Sequence, residues 1–205
     1  MISLDMIAKG TVHLILAPFL LGIICLLLFH YIKPMIFLSF IFFIITVFFV
    51  FFFRDPEREI GKGVVAPADG KIMGIEENDS VRVSTFMNLH NVHVNRAPLD
   101  GKITSVEHVS GRHAPAYKKE ADLNEKVVIK MDTEIGIIRV VQIAGIFARR
   151  IVPYIKEGDA VRKGQRIGII RFGSRVDLYL PKNIEITVKK GENVLSGKTS
   201  IGMIK

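Results

Sequence analysis

The sequence predicts a mainly β domain, of a compact β-sandwich or barrel-sandwich type, preceded by an N-terminal transmembrane helical hairpin. Residues 12–53 contain most of the 14 phenylalanines and a single formally charged residue, Lys33. From Gly61 onward, short β-prone segments alternate with turns rich in Gly, Pro, Asn and Asp. We therefore expect a membrane anchor over residues 1–53 and a folded domain over residues 54–205.

Two apolar segments form the predicted anchor, Val12–Ile32 and Met35–Phe53. The second has no charged residue, and at about 1.5 Å per helical residue it covers most of a hydrocarbon core of about 30 Å. Lys33-Pro34 is a minimal turn between the two segments. This arrangement predicts a helical hairpin whose two ends lie on the same side of the membrane.

The charges around the anchor indicate its orientation. Arg54, Arg58 and Lys62 follow the second segment, which places that side in the cytoplasm by the positive-inside rule. A signal peptide is the alternative interpretation of the first segment. It is disfavoured because Asp5 accompanies Lys9 at the N-terminus and because a second apolar segment follows at once.

The charge balance of the remaining chain is basic. Of the formal net charge of +8, residues 54–205 carry most, with 26 Lys and Arg against 19 Asp and Glu. A basic domain beside membrane spans suggests anionic lipid headgroups as a partner, although on charge alone a basic solvated surface is the favoured explanation. No nucleic-acid partner is expected. The single cysteine, Cys25, lies in an apolar segment, so no disulfide framework is predicted.

The folded domain divides into short β elements. "GVVAPADGKIMGIE" indicates strand, turn and strand, "SVRVSTFM" and "GKITSVEHV" alternate as strands do, and "KVVIKMDTEIGIIRVVQIAG" predicts a hairpin. A turn at Lys163-Gly164 precedes another strand, and further strands surround "KKGEN". Ser110–Glu125 is the least regular region, which indicates a long loop or a short helix of the kind that is often functional.

A weak internal similarity supports a second class of protein. "VVAPADGKI" and "VRKGQRIGII" resemble the two halves of a lipoyl- or biotinyl-type barrel-sandwich, as found in carrier domains and membrane adaptors. A carrier needs a lysine at a hairpin tip, and an adaptor usually adds a coiled coil. No such lysine is evident, and residues 76–155 show no heptads. These absences count against a carrier and an adaptor, but a non-enzymatic adaptor remains the competing hypothesis.

Three local motifs contain residues suited to catalysis, and each has a simple structural explanation. Asp69 lies in "PADGK", where Asp-Gly is typical of a hairpin turn. His90 and His93 are three residues apart, so on a strand they face opposite sides, whereas on a turn or at a helix start they could converge on a metal. No third metal ligand shows a matching spacing, and two unrelated surface histidines are the simple explanation. We expect no metal. Gly173-Ser174 is also a common turn pair.

Taken together, these motifs resemble the short form of the phosphatidylserine decarboxylase family. The similarity covers "FFRDPER", "VVAPADGKI", "FMNLHNVHVNRAPLDGKI", "ADLNEKVV", "QIAGIFARRI" and "GDAVRKGQRIGIIRFGSRVDLYLP". The family implies a proenzyme that cuts itself between Gly173 and Ser174, which gives a heterodimer of chains 1–173 and 174–205. Ser174 then becomes the pyruvoyl cofactor. The sequence has "FGSR" where longer members have an "LGST"-like motif.

The resemblance also implies roles for individual residues. Ser174 would attack the Gly173 carbonyl, His93 would remove its proton, and Asp69 would orient the imidazole, as in other catalytic triads. The pyruvoyl carbonyl would form a Schiff base with the substrate amine and withdraw electrons during loss of CO₂. His90 would return a proton to the α-carbon, since the ordinary histidine pKa of about 6.5 lies near working pH.

The family's substrate implies a membrane location and a site for the headgroup phosphate. Arg149 and Arg150 are candidates because arginine binds phosphate bidentately, and Lys118 is a third. A solvated strand end explains the arginine pair equally well. Phosphatidylserine and its ether-linked counterpart, archaetidylserine, share a headgroup, so the choice between them stays open. We expect the catalytic domain on the cytoplasmic side of the cell membrane, and an exposed edge strand could support a higher oligomer.

Overall fold

The polypeptide forms two compact units that divide after Glu57. The computed structural model describes residues 6–112, 114–116, 119–145, 150–171 and 174–204. The first unit contains two helices, and the second, Arg58–Lys205, is built mainly from β-strands. The predicted mainly β class and the two N-terminal helices are confirmed.

The two helices of the first unit are α1, Val12–Leu28, and α2, Met35–Phe52. The Ser39 hydroxyl of α2 donates a hydrogen bond of 2.9 Å to the carbonyl oxygen of Gly22 in α1. A β-carbon on Gly22 would lie 3.0 Å from the Phe43 ring, so the small residue allows close packing. Among the described residues, α2 is the one helix long and apolar enough to cross a membrane.

The second unit contains fourteen strands among its described residues, and all of their pairings are antiparallel. In chain order they are β1 Val64–Val65, β2 Gly70–Glu77, β3 Val81–Met87, β4 Val94–Arg96, β5 Gly101–Val109, β6 Lys126–Thr133, β7 Gly136–Ala144, β8 Ile151–Pro153, β9 Ala160–Val161, β10 Arg166–Ile170, β11 Ser174–Leu180, β12 Ile184–Ile186, β13 Asn193–Val194 and β14 Ser200–Ile204. A 3₁₀ helix, Lys119–Leu123, lies within the region predicted to be a long loop or short helix.

These strands form three sheets. The largest has the order β13-β2-β3-β11-β7-β6-β5-β9, and two smaller sheets have the orders β1-β14-β12 and β4-β10-β8. The predicted hairpin of β6 and β7 is confirmed, with Thr133 paired to Gly136 at its turn. The turn before β10 is confirmed as well, because Gly164 has a φ of 78°, a conformation that glycine adopts without strain.

Strand β11 lies inside the largest sheet, between β3 and β7. Successive side chains of a strand point to opposite faces. One face of β11 contributes Val176, Leu178 and Leu180 to the main hydrophobic core. The other face carries Arg175, Asp177 and Tyr179.

Neither of two dipeptides that the sequence predicted as turns, Asp69-Gly70 and Gly173-Ser174, joins two paired strands. The Asp69-Gly70 dipeptide is not a hairpin turn, because β1 pairs with β14 whereas β2 pairs with β3 and β13. Ser174 is not a turn residue between paired strands, because β10 and β11 belong to different sheets and Ser174 is the first residue of β11. Both segments connect one sheet to another, which local turn chemistry does not reveal.

Candidate active site

Ser174 lies at the start of the interior strand β11, with its residue fully buried. It pairs with Met87 at the end of β3 and with Ala144 at the end of β7. Its hydroxyl donates to the Met87 sulfur over 3.2 Å. Gly173, its predicted partner in the cleavage, lies outside the described residues. The strand thus presents the hydroxyl at one edge of the core rather than in solvent.

A chain of buried polar side chains continues from Ser174. The Asn95 amide donates to the same Met87 sulfur over 3.7 Å, and the Gln142 amide donates to the Asn95 carbonyl oxygen over 2.7 Å. Asn95, Met87 and Gln142 are all fully buried. Sequence reasoning missed this series of hydrogen-bonded side chains. Its one signal in the sequence was an amide residue between apolar neighbours on a strand.

His93 is fully buried and lies one residue before β4. Its backbone oxygen accepts a hydrogen bond of 3.3 Å from the amide of Ile170, the last residue of β10. Four residue steps separate Ile170 from Ser174, so their Cα atoms are at most about 14 Å apart. The fold therefore holds His93 and Ser174 in the same region of the molecule.

The imidazole of His93 is oriented by a backbone carbonyl. Its Nδ1 lies 2.9 Å from the carbonyl oxygen of Asn91. A carbonyl oxygen only accepts, so this hydrogen bond places the proton of the neutral ring on Nδ1 and makes Nε2 the nitrogen that can accept a proton. This is the tautomer that a general base for Ser174 requires.

The Asp69 carboxylate is held by residues other than His93. Arg58 binds both of its oxygens, with 2.8 Å between Nη2 and Oδ2, and the Ser196 amide donates to Oδ1 over 2.8 Å. The side chains of Arg58 and Asp69 are only 9% and 4% exposed. The Ser196 hydroxyl lies 3.5 Å from the carbonyl oxygen of Val94, the residue after His93. Asp69 is thus connected to the histidine segment through Ser196, whereas the prediction gave it a direct contact with His93.

His90 occupies a different environment from His93. It is exposed and lies in the turn between β3 and β4. The two histidines therefore do not form one buried pair. Among the residues that the structure describes, no group of His, Cys, Asp and Glu side chains has the arrangement of a metal site.

The predicted phosphate ligands are only partly described. Arg149 and Lys118 lie outside the described residues, whereas Arg150 is described and exposed. The carbonyl oxygen of Arg150 accepts a hydrogen bond of 3.2 Å from the amide of Arg171, a half-buried residue that sequence reasoning did not single out. Burial lowers the pKa of the Arg171 guanidinium, and the charge of Arg150 lowers it further, against a smaller opposing effect of Tyr154.

An ion cluster covers the opposite face of β11. Arg175 Nη2 lies 2.9 Å from Asp177 Oδ2 and also binds Asp122 of the 3₁₀ helix, while Arg82 lies within 3.8 Å of both carboxylates. Burial raises the pKa of the Asp177 carboxyl despite the attraction of Arg175. Burial would also raise the pKa of Asp122, but its hydrogen bond and charge attraction to Arg175 lower it overall. The cluster fastens the 3₁₀ helix across the strand that begins at Ser174.

Asn124 attaches the same region to the neighbouring strand. Its side-chain amide donates to the carbonyl oxygens of Ala114 and Ala144, each over 2.7 Å, and its Oδ1 accepts from the Ala114 amide over 2.7 Å. Ala144 is the β7 partner of Ser174. The loop that sequence analysis associated with function is therefore anchored beside the candidate nucleophile.

Comparison with known proteins places this arrangement in a family. The sequence pattern of phosphatidylserine decarboxylase matches residues 45–202, which include Asp69, His93 and Ser174. The chain belongs to the phosphatidylserine decarboxylase family. It is therefore a member of a family of decarboxylases, which decides against the competing hypothesis of a non-enzymatic adaptor.

Relatives from bacteria and archaea share this similarity. The phosphatidylserine decarboxylase proenzyme of Streptomyces coelicolor is 55% identical over 155 residues, which are 74% of this chain and 71% of the relative. A Methanosarcina mazei protein named "Putative archaetidylserine decarboxylase proenzyme" is 48% identical over 164 residues, 78% of this chain and 77% of its own length. An Archaeoglobus fulgidus protein of the same name is 44% identical over 194 residues, 95% and 94% of the two chains. The word proenzyme in all three names implies self-processing.

Proposed function

We propose that this chain is the proenzyme of a pyruvoyl-dependent decarboxylase that converts phosphatidylserine to phosphatidylethanolamine and CO₂. The observation that carries the proposal is the position of Ser174, a buried hydroxyl at the first residue of an interior strand in a chain of this family. Cleavage before Ser174 would make the start of β11 a new chain end without removing any residue from the sheet.

Self-cleavage would begin with attack of the Ser174 hydroxyl on the Gly173 carbonyl, which moves the acyl group from nitrogen to oxygen. The resulting ester loses the Gly173 carboxylate by β-elimination and leaves a dehydroalanine at position 174. Water then replaces its nitrogen, ammonia leaves, and a pyruvoyl group remains at the N-terminus of β11. Each step uses only the chain and one water molecule.

His93 would serve as the base that removes the Ser174 proton, because the Asn91 carbonyl fixes the tautomer in which Nε2 accepts. Asp69 would act as a positioning residue. Its ion pair with Arg58 and its hydrogen bond from the Ser196 amide join segments that are far apart in the sequence. Ser196 in turn lies beside Val94, the residue that follows His93.

During turnover, the pyruvoyl carbonyl supplies an electron sink for loss of CO₂ from a substrate bound through its amine. The pairing of β11 with β3 and β7 would hold this group in place, because Ser174 is paired on both sides. His90, exposed in the turn that precedes His93, would return a proton to the substrate α-carbon. Arg150 would contact the headgroup phosphate, as would Arg149 and Lys118.

The two cleaved chains would remain associated as a heterodimer, since β11 stays inside the largest sheet. We further propose that α1 and α2 form a transmembrane hairpin, with the barrel-sandwich-like β domain on the cytoplasmic side. The contact between Ser39 and Gly22 supports the hairpin, because it satisfies a hydroxyl inside an apolar helix pair. Covalent linkage to this anchor would keep the domain near its lipid substrate.

Archaetidylserine is the second candidate substrate. The Archaeoglobus fulgidus relative aligns over 95% of this chain, whereas the alignment with the Streptomyces coelicolor relative covers 74%. The longer alignment must include residues of the helical unit, which would contact the lipid tails. The headgroup chemistry is the same for both lipids.

A CO₂-release assay tests the proposal. Purified protein is incubated with neutral detergent micelles that contain phosphatidylserine, archaetidylserine or phosphatidylglycerol. We expect CO₂ and an ethanolamine lipid from the serine lipids, none from phosphatidylglycerol, and none with the Ser174→Ala variant. The preferred serine lipid identifies the natural tails. Absence of CO₂ from both serine lipids with fully cleaved protein would refute the proposed function.

A further inference from the structure

Arg171 and Arg150 lie opposite each other at the end of the β8–β10 pair. Ile169 pairs with Val152 and Ile170 with Ile151. The hydrogen bond of 3.2 Å from the Arg171 amide to the Arg150 carbonyl oxygen extends this register by one residue. Directly opposed residues of an antiparallel pair have Cβ atoms about 5 Å apart on one face of the sheet. The two guanidinium groups therefore extend from neighbouring points on the same face.

Among the described residues, no carboxylate compensates this pair of positive charges. Within the described part of the chain, neither arginine forms an ion pair with a carboxylate, and Arg171 Nε is buried without a hydrogen-bond acceptor. Burial and the charge of Arg150 both lower the pKa of Arg171, which expresses the cost of holding two cations together. An anion bound between them would remove that cost and satisfy the buried donor.

The position of the pair matches the geometry of a serine headgroup. Arg171 precedes Ser174 by three residues, so the Cα atoms of the two residues are at most about 11 Å apart. The headgroup phosphate is joined to the serine side chain directly through its oxygen. A substrate whose amine reacts at position 174 would therefore place its phosphate close to that position, within reach of a long arginine side chain.

We propose that Arg171, together with Arg150, binds the phosphodiester of the lipid headgroup. This inference rests on the proposed function, and it assigns to Arg171 a substrate contact that the sequence did not indicate. Arginine suits the role because its planar guanidinium donates two parallel hydrogen bonds to phosphate oxygens. The pair would recognise the headgroup independently of the lipid tails.

The test compares Arg171→Gln and Arg150→Gln with Arg162→Gln, which removes the same charge from an exposed loop residue. Each variant is assayed in neutral micelles with phosphatidylserine and with O-octylserine, an ether that has the amine and carboxylate but no phosphate. A hydrogen bond to a charged group is worth about 1.5–3 kcal/mol, so we expect the KM for phosphatidylserine to rise about 10- to 100-fold in the first two variants. The KM for O-octylserine should stay constant in all three, and rates are normalised to the cleaved fraction.

A binding measurement separates this inference from the proposed function. Glycerophosphoserine is titrated into the uncleaved Ser174→Ala protein, with and without Arg171→Gln or Arg150→Gln, and followed by calorimetry. Weaker binding in both arginine variants supports the phosphate site even if no turnover occurs. Equal binding in the parent and both variants would overturn it. So would an equal rise in KM for phosphatidylserine and O-octylserine, which would assign the pair to the serine carboxylate.

Discussion

Replacing His93 with glutamine will leave the purified protein largely as one uncut chain. Glutamine is similar in size to histidine and can still donate to the Asn91 carbonyl, but it has no nitrogen that accepts a proton at neutral pH. The Ser174 hydroxyl is a weak nucleophile without a base, and general-base catalysis contributes about 10²- to 10⁴-fold. We expect the rate of self-cleavage to fall by that factor, measured by denaturing electrophoresis after cell-free synthesis.

Two other histidines provide controls for this result. His108→Gln alters an exposed residue paired with Glu125, and its self-cleavage should match that of the wild type. His90→Gln should also cleave normally but should decarboxylate slowly, because His90 is assigned to turnover. Wild-type cleavage in His93→Gln would show that another group removes the serine proton.

Of the substitutions discussed, replacing Arg58 with methionine will cause the largest loss in the free energy of unfolding. The substitution leaves the Asp69 carboxylate, only 4% exposed, without its bidentate partner. Removing one member of a buried ion pair typically costs about 3–5 kcal/mol, because the remaining charge stays buried. Denaturant unfolding in detergent measures this free energy, in the Ser174→Ala background so that every sample consists of one chain.

An exposed ion pair supplies the comparison. Lys130 and Glu107 are 41% and 54% exposed, and Lys130→Met should lower the free energy of unfolding far less than Arg58→Met, because water screens the exposed pair. The double variant Arg58→Met with Asp69→Asn should recover part of the lost stability, since it removes the unpaired charge. If Arg58→Met costs no more than Lys130→Met, the buried pair does not hold the two segments together.

Sequence reasoning was most successful where the interaction is local. The β6–β7 hairpin followed from alternation around a short turn, and the structure pairs Thr133 with Gly136 as that pattern requires. The two N-terminal helices followed from long apolar segments, although α1 ends at Leu28 rather than at Ile32. Ser174 was singled out by its family motif, and burial at the start of an interior strand is a property that the motif alone does not contain.

Sequence reasoning failed where the partner is distant in the chain. Arg58 was interpreted by its charge near the membrane, yet it binds Asp69, and Asp69 in turn binds the Ser196 amide 127 residues away. Nothing in the sequence pattern links these positions. The same limit applies to Gln142 and Met87, which meet Asn95 only because β7, β3 and β4 converge beside Ser174.

The sequence also revealed little about the contacts that charged residues on strands make in the structure. Arg175 was noted only as a departure from the motif of longer relatives. The structure shows that it binds Asp122 and Asp177, and thereby fastens the 3₁₀ helix across β11. A helix that covers one face of the sheet is a tertiary property, which the sequence motif does not contain.

Intact-mass analysis of the purified wild-type protein beside Ser174→Ala determines whether Ser174 becomes a pyruvoyl group. We expect two wild-type chains, residues 1–173 and 174–205, with a pyruvoyl group in place of the N-terminal amine on the shorter chain. Ser174→Ala should remain one chain. A wild type that stays uncut, or a shorter chain that retains a serine amine, would contradict the claim that Ser174 becomes the catalytic carbonyl.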